Sequence, residues 1–459
     1  MPEEVFESFE NTNALPKNAK AAWLRDSKTH SLSEVFASIK IPSSKKFGVN
    51  MRAFAGPGLI IAVGYMDPGN WATDIAGGSQ FGYTLLSVIL FSNFFAMILQ
   101  YLSLKLGIVT GKDLAQASRD AYPLPIVYVL WIFAEIAIAA CDLAEVLGSA
   151  IALNLLFNIP LLWGVLITLL DVLFVLYLQT KSFKYIEVLV ASLVFLIGAC
   201  FAYQIIILKP EWHDVAAGLI PQLQIISQPN MLYIAISILG ATVMPHNLYL
   251  HSSIVQTRQY KRDAAGKKSA IFYAGIDSTA SLFFAFFINA AILILAAAGF
   301  HKNGFTQVAE ITDAYKLLDP VLGAKYSSLL FAVALLAAGQ NSTLTGTLSG
   351  QVVMEGFVQL KLKPWQRRLL TRSIAVVPAF IVIALTGEKS VTQLLVLSQI
   401  ILSMQLSFAV IPLVVFTSSK LKMGAFVNSK MLIVVSVAVA AIILVLNAYL
   451  FILSALQSK

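Results

Sequence analysis

The stretch MDPGNWATDIAGGSQFGY, residues 66–83, interrupts an apolar segment with an acid, a proline and a glycine. Proline removes a backbone donor and clashes with the preceding turn, and glycine beside it weakens a helix further. A similar interruption, GATVMPHNLYLHS, occupies residues 240–252. Irregular backbone at membrane depth is tolerated only where it is buried or lines a cavity. The two stretches therefore predict two helices that break inside a membrane-embedded bundle.

The composition indicates that lipid is the solvent of this chain. Its 459 residues are 58% hydrophobic and 12% charged, whereas a soluble domain carries roughly 25% charged residues. The mean hydropathy is +0.79. The 2 cysteines, Cys141 and Cys200, lie inside apolar stretches, which excludes a disulfide framework. The sequence therefore predicts a multi-pass protein of the cell membrane.

The apolar runs divide the chain into a short tail and a long transmembrane domain. Residues 1–50 form a predicted cytoplasmic tail without a cleavable signal peptide, with an amphipathic surface segment expected near residues 32–41. Residues 51–459 form a predicted transmembrane domain of about 11 helices, because several apolar runs reach the roughly 20 residues that cross a bilayer. The predicted spans are 53–78, 83–105, 125–156, 161–180, 186–208, 230–257, 270–300, 326–356, 369–387, 392–417 and 430–455.

The basic residues give the orientation of these spans. With the N-terminus in the cytoplasm, 26 of the 32 Lys and Arg residues fall in the tail and in the loops on the same side. Lys and Arg concentrate on the cytoplasmic side of membrane proteins. The distribution predicts a cytoplasmic N-terminus and a C-terminus outside. It also accounts for the net charge of +8, so no nucleic-acid partner is expected, and no obligate protein partner is evident.

The two interrupted spans occupy equivalent positions, the first and the sixth, in two halves of five spans. Interrupted segments at corresponding positions of two halves indicate a transporter binding site. With five spans in each half, the second half enters the membrane from the opposite side. The predicted fold is therefore an all-α inverted repeat with an eleventh span outside it. Ordinary proline kinks are the alternative, but such kinks rarely also carry Asp, Asn and His.

The side chains at the breaks favour a transition-metal ion. A carboxylate deep in a span, as at Asp67, needs a partner or a function, and Asn70 adds a neutral carbonyl oxygen. Met244 precedes the proline of the sixth span, and its soft thioether suits Mn²⁺, Fe²⁺, Co²⁺ or Cd²⁺ better than Ca²⁺ or Mg²⁺. Packing in the protein interior is the alternative role for this methionine.

These motifs resemble the Nramp family of proton-coupled Mn²⁺/Fe²⁺ transporters. Asp-Pro-Gly-Asn in the first span and Met-Pro-His in the sixth look like the family signature, and GPG at 56–58 and LVLSQIILS at 395–403 extend the resemblance. It covers about residues 50–455. The resemblance implies a LeuT-like fold, with spans 1–5 and 6–10 as the two repeats, and symport of Mn²⁺ or Fe²⁺ with protons into the cytoplasm.

The resemblance also implies a ligand set. Asp67, Asn70, Met244 and the backbone carbonyl of Ala241 would surround the metal ion, and Gln399 would join them in some states. The ion is the transported substrate, and no resident cofactor is expected. A related magnesium-transporting branch lacks the methionine, so Met244 argues against Mg²⁺ as the main substrate.

Three acids in the third span suggest a second site. Glu135, Asp142 and Glu145 fall within an arc of roughly 80° on one helical face, and Arg372 near the ninth span is a candidate counter-charge. Acids inside a membrane bundle can form a proton relay or a buried ion-pair network that fixes helix register. The family resemblance favours the relay.

Two histidines follow the second break. His246 and His251 lie five residues apart, which is not the spacing of the zinc-hydrolase motif His-Glu-x-x-His. Histidine titrates near neutral pH, which suits proton transfer or gating. Hydrogen bonding in the protein interior is the alternative for both side chains.

Two other functions compete with metal–proton symport. A Na⁺-coupled transporter of amino acids or other organic solutes would share the fold, but Asp67 would repel a substrate carboxylate. A membrane-embedded metalloenzyme would need a nucleophile–base pair or a closed metal cluster. The sequence offers neither, so we do not expect an enzyme.

Overall fold

The computed structural model describes residues 23, 30–42, 46–170, 183–306, 308, 310–324, 326–360, 364–386 and 391–457. The helices are α1 (Phe47–Phe54), α2 (Pro57–Gly64), α3 (Pro68–Phe81), α4 (Leu86–Thr110), α5 (Leu114–Ala121), α6 (Leu124–Phe157), α7 (Leu161–Ile167), α8 (Phe183–Leu208), α9 (Trp212–Gly218), α10 (Gln224–Ser227), α11 (Pro229–Thr242), α12 (Pro245–Ile254), α13 (Ala264–Gly299), α14 (Ile311–Leu322), α15 (Ser327–Val358), α16 (Pro364–Thr386), α17 (Val391–Thr417), α18 (Lys420–Met423) and α19 (Lys430–Gln457). Two short strands, β1 (Ile39–Lys40) and β2 (Arg258–Gln259), pair in parallel.

The long helices form a membrane-spanning bundle. Among the described residues, eight helices are long and apolar enough to cross a membrane, and a ninth span is counted when α1 and α2 are joined. Helix α16 lies in the predicted ninth span, and α7 begins the fourth, of which residues 171–180 fall outside the described part. Large apolar side chains such as Phe195 and Ile206 are 74% and 71% exposed on the outside of the bundle, which is favourable only in lipid.

Both predicted helix breaks are present. Helix α2 ends at Gly64 and α3 begins at Pro68, while α11 ends at Thr242 and α12 begins at Pro245. The residues before the two prolines, Asp67 and Met244, are extended, with ψ values of 165° and 123°. Proline disfavours the helical conformation in the residue before it. The first span bends a second time, since α1 and α2 meet at 46°.

Small residues bring α15 close to α6. A side chain at Gly346 would lie 2.7 Å from Glu145 Oε1, and one at Gly339 would overlap Ser149. Glycine lets two helix backbones approach closely in a membrane. This contact sets the buried acids of α6 directly against α15.

The segment near residues 32–41, expected to be an amphipathic surface segment, lies on the bundle without forming a helix. The segment 30–42, here called the N-terminal strap, has turns and strand β1 instead of a helix. Leu32 and Ala37 have φ values of 54° and 49°, which a right-handed helix does not allow. Their N–H groups bond outside the strap, to Glu355 Oε2 at 3.1 Å and to the carbonyl of Gln256 at 3.0 Å. The strap therefore packs on the bundle, at the ends of the sixth and eighth spans.

Candidate ion site between the two helix breaks

The first break presents two oxygen acceptors. Asp67 caps helix α3, because its Oδ1 accepts a hydrogen bond of 2.9 Å from the N–H of Asn70. Asp67 and Asn70 are 0% and 1% exposed. Within the described part of the chain, Asp67 Oδ2 and Asn70 Oδ1 have no hydrogen-bond partner. A buried acceptor without a donor is costly, so these two oxygens are suited to a cation.

The second break presents a carbonyl and a thioether. Ala241 lies four residues before Pro245, and proline has no N–H to complete the usual helical bond to that carbonyl. Met244 is the N-cap residue of α12, and its side chain makes no capping bond. Ala241 and Met244 are both 0% exposed. One oxygen and one soft sulfur are therefore buried at the second break.

The two breaks lie against each other. A side chain at Gly64, the last residue of α2, would overlap the side-chain amide of Asn247 in α12. The first break is also held from the side, since Trp71 packs between Phe201 and Phe331 with ring centroids 4.8 and 5.1 Å away. The indole N–H of Trp71 donates to the carbonyl of Met66 at 3.2 Å. Packing thus fixes the unwound segment in one conformation.

Gln399 of α17 lies beside the first break. A side chain at Gly69 would overlap the amide of Gln399, so glycine in the Asp-Pro-Gly-Asn motif makes room for it. Gln399 Nε2 donates to Ser398 Oγ at 3.0 Å. Its Oε1 is buried and has no donor among the described residues. The structure therefore brings Gln399 to the first break with a free acceptor.

Asp142, Glu145 and Arg372 form one buried charge network. Arg372 Nη1 lies 3.1 Å from Glu145 Oε2 and 3.9 Å from Asp142 Oδ1. Arg372 Nη2 also donates to Thr343 Oγ1 at 3.3 Å, and Ser342 Oγ donates to Glu145 Oε1 at 2.9 Å. The guanidinium therefore lies where the sequence suggested a counter-charge.

Glu135 lies away from this network. It is two turns of α6 before Asp142, its side chain is only partly buried, and its Oε1 accepts from Trp131 Nε1 at 2.8 Å. The three acids therefore do not form one cluster. Glu135 lies further along α6, and only Asp142 and Glu145 face Arg372.

The two histidines belong to different contacts. His246 Nε2 lies 3.6 Å from Cys141 Sγ in α6. His251 Nδ1 lies 2.9 Å from Gln100 Oε1, and Gln100 Nε2 donates to the hydroxyl of Tyr65 at 2.9 Å. His246 therefore faces the acids of α6, whereas His251 connects through Gln100 to the end of α2.

Closed clusters of the usual metal-binding side chains are absent from the described residues. No group of three or more His, Cys, Asp or Glu side chains there is arranged to hold a metal ion. The donors between the breaks are of another kind, with one carboxylate, neutral oxygens and a thioether. Such a weakly charged set suits an ion that must also leave.

Comparison with known proteins decides the family. The family model Nramp, natural resistance-associated macrophage protein-like, matches residues 58–453. The chain belongs to the Nramp family. It is 62% identical over 434 residues to the divalent metal cation transporter MntH of Listeria monocytogenes, covering 95% of this chain and 97% of that one. The resemblance drawn from the motifs is confirmed.

Solved structures agree with this Nramp assignment. The Eremococcus coleocola manganese transporter matches with a TM-score of 0.85 at 41% identity, over 91% of this chain and 90% of that one. MhsT, solved in complex with L-phenylalanine, matches with a TM-score of 0.57 at 17% identity, over 86% of this chain and 97% of that one, a likeness of fold alone. The LeuT-like fold is confirmed. These relatives are named as transporters, which confirms the expectation that the chain is not an enzyme.

One further cluster of this Nramp chain was missed by sequence reasoning. Asp277 of α13 accepts hydrogen bonds from the N–H groups of Gly58 and Gly56, at 2.7 and 3.3 Å. Arg258 donates to Glu187 Oε1 and to the carbonyl of Ala55, both at 2.6 Å. The cluster binds the start of α2 to the end of the bundle that carries the strap. Asp277 and Arg258 lie 221 and 203 positions after their partners Gly56 and Ala55, so only the fold brings these residues together.

Proposed function

We propose that this Nramp-family chain is a proton-coupled symporter that carries divalent transition-metal ions into the cytoplasm. Mn²⁺ and Fe²⁺ are its proposed main substrates, with Cd²⁺ and Co²⁺ also carried. The observation that carries the proposal is the pair of buried acceptors beside the second break, Asp67 Oδ2 and Asn70 Oδ1, which have no donor among the residues that the structure describes. The names of the relatives, a divalent metal cation transporter and a manganese transporter, support it.

The proposed ligands come from both breaks. Asp67 and Asn70 supply oxygens, Ala241 its backbone carbonyl and Met244 its sulfur, while Gln399 joins in some states. Transition metals accept such mixed oxygen and sulfur ligands, whereas Ca²⁺ and Mg²⁺ prefer oxygen alone. The ion is cargo, so the protein needs no resident cofactor.

Alternating access would use the two breaks as hinges. With Asp67 at 0% exposure, the site is closed to solvent, and the half-helices α2 and α12 would move to open it. The strap side of the bundle would be cytoplasmic and the end of α19 outside, as the basic residues indicate. A negative interior would then favour entry of a doubly charged ion by about 4.6 kcal/mol per 100 mV.

The proposed proton route leaves the metal site towards α6. Asp67 would release its proton when the metal binds, and Asp142 and Glu145 would carry it onward, with His246 as the link and Arg372 as the fixed counter-charge beside them. The direct contact of Arg372 with Glu145 supports a pathway here. Glu135 and His251 are further proposed members of the proton pathway, and His251 could also act in gating.

Uptake into proteoliposomes tests the proposal. We expect ⁵⁴Mn²⁺ uptake that an inward pH gradient accelerates and that acidifies the vesicle interior. Asp67→Ala should abolish uptake, because the charged ligand is lost. Asp313→Asn, which changes an exposed acid of α14, should transport normally. Normal uptake by Asp67→Ala would refute the ligand assignment, and metal uptake without proton movement would refute the coupling.

A further inference from the structure

Cys141 occupies a position between the second break and the buried acids. Its side chain is 1% exposed in α6. Its Sγ lies 3.6 Å from His246 Nε2 and 3.6 Å from Glu145 Oε1, and the thiol donates to the carboxylate. Cysteine sulfur is both a weak donor and a weak acceptor. One thiol therefore touches a group on each of two helices.

This thiol joins the broken helix to the charge network. His246 lies two residues after Met244 on α12, and Glu145 Oε2 lies 3.1 Å from Arg372. The contacts thus run from His246 through Cys141 to Glu145 and on to Arg372. Cys141 and Glu145 are one helical turn apart, which places both on the same face of α6.

The charged and titratable groups around the thiol come from four helices. Asp142 and Glu145 share its helix, Asp67 is the N-cap residue of α3, and His246 comes from α12. Arg372 of α16 reaches it through Glu145. A movement of α12 would therefore change the surroundings of Glu145 through the sulfur.

We propose that Cys141 is a positioning residue for the coupled step, whose thiol transmits the movement of the second break to the Glu145–Arg372 pair. The inference rests on the proposed function, since it concerns the coupling of metal to protons. The proposed role uses only the contacts of the thiol with His246 and Glu145. The thiol fixes the distance between His246 and Glu145. An alanine at this position has no group to contact either side chain, whereas a serine hydroxyl can keep part of these contacts.

The test compares three variants in proteoliposomes under a pH gradient. We expect Cys141→Ala to lower the number of protons moved per Mn²⁺ by a factor of about 3 to 10, the effect of losing one hydrogen bond of ordinary strength, because a thiol is a weak donor. Cys141→Ser should recover most of the ratio. Cys200→Ala, which removes the other buried cysteine, should keep the wild-type ratio. Mn²⁺ binding by calorimetry should remain unchanged in all three.

A measurement on the unaltered protein covers the case in which Cys141→Ala fails to fold. The S–H stretching band of Cys141, assigned by its loss in Cys141→Ser, should shift when Mn²⁺ is added. An unchanged band, or a wild-type proton ratio in Cys141→Ala, overturns the inference. Metal uptake without protons in the wild type overturns the proposed function instead, so the two failures are distinct.

Discussion

At the scale of single residues, the prolines decide which groups are left for a ligand. Each proline starts a half-helix, so the residue before it is extended and the carbonyl four residues back loses its donor. Asp67 and Met244 occupy the same position relative to Pro68 and Pro245. Two similar backbone breaks thereby present two different side chains, one hard and one soft.

Met244 should set the preference among ions. Met244→Ala removes the only sulfur of the proposed ligand set, so we expect Ca²⁺ to compete more strongly against Mn²⁺ and Cd²⁺. Competition against ⁵⁴Mn²⁺ uptake measures this. Met66→Ala, which changes the buried methionine of the first break, is the control. An unchanged selectivity in Met244→Ala would mean that the thioether contributes only to packing in the protein interior and is not a ligand.

Asp113 should make stability depend on pH. It caps α5 outside the spans, and burial raises the pKa of its carboxyl to about 6. Because the folded state holds this proton more tightly than the unfolded chain, the contribution to stability is full below about pH 4 and is lost as the pH rises through about 6. Asp113→Asn keeps an N-cap acceptor without the charge.

We therefore expect the melting temperature of Asp113→Asn to be a few degrees above that of the wild type at about pH 7.5. At about pH 4 the two melting temperatures should be equal. Melting curves in detergent at both pH values measure the difference. Asp313→Asn at the opposite end of the bundle is the control. A gain of the same size at both pH values would contradict the assignment to Asp113.

At the scale of helices, the start of α2 is the element most clearly held in place. Asp277 accepts two backbone bonds from it, and Arg258 holds the preceding carbonyl at Ala55. Backbone N–H groups at a helix start need acceptors. The start of α2 is therefore held against α13 by a carboxylate.

Asp277→Asn should open this end. One of the two acceptor oxygens becomes a donor, so a bond to Gly56 or Gly58 is lost and α2 should separate from α13 more often. A cysteine placed at Ala62, which is 0% exposed in α2, reports the opening by its rate of labelling from that side. Asp263→Asn, at the start of the same helix, is the control. Equal labelling in both variants would contradict this role.

Sequence reasoning recovered the parts of the molecule that depend on local chemistry. Prolines and glycines within apolar runs located both breaks, and the carboxylates of α6 with Arg372 pointed to the charge network. It did not show the contacts of Cys141 and Asp277, because a buried cysteine is usually only packing and a lone acid gives no sign of its partner. It also did not show how the strap is held, because the hydrogen bonds of the strap are to distant residues.

At the scale of the whole molecule, the strap ties the N-terminal tail to the bundle. Lys40 and Gln259 are paired in the register of β1 and β2, and both side chains are exposed. Cα atoms paired across strands lie within the reach of a disulfide. If the second break moves during transport, β2 moves with it.

Lys40→Cys with Gln259→Cys should therefore lock the transporter. We expect oxidation to stop ⁵⁴Mn²⁺ uptake and reduction to restore it. Lys40→Cys alone should transport under both conditions. Full uptake by the oxidised double variant would show that β1 and β2 stay paired throughout the cycle, and it would contradict this prediction.

The strap has a consequence for how the protein is made. Leu32 bonds to Glu355, 323 positions later, so most of the polypeptide must leave the ribosome before that bond can form. The Leu32 end of the strap is thus among the last parts of the described chain to dock. Until the eighth span has been inserted, this end of the strap would lack its partner and stay open to chaperones and proteases.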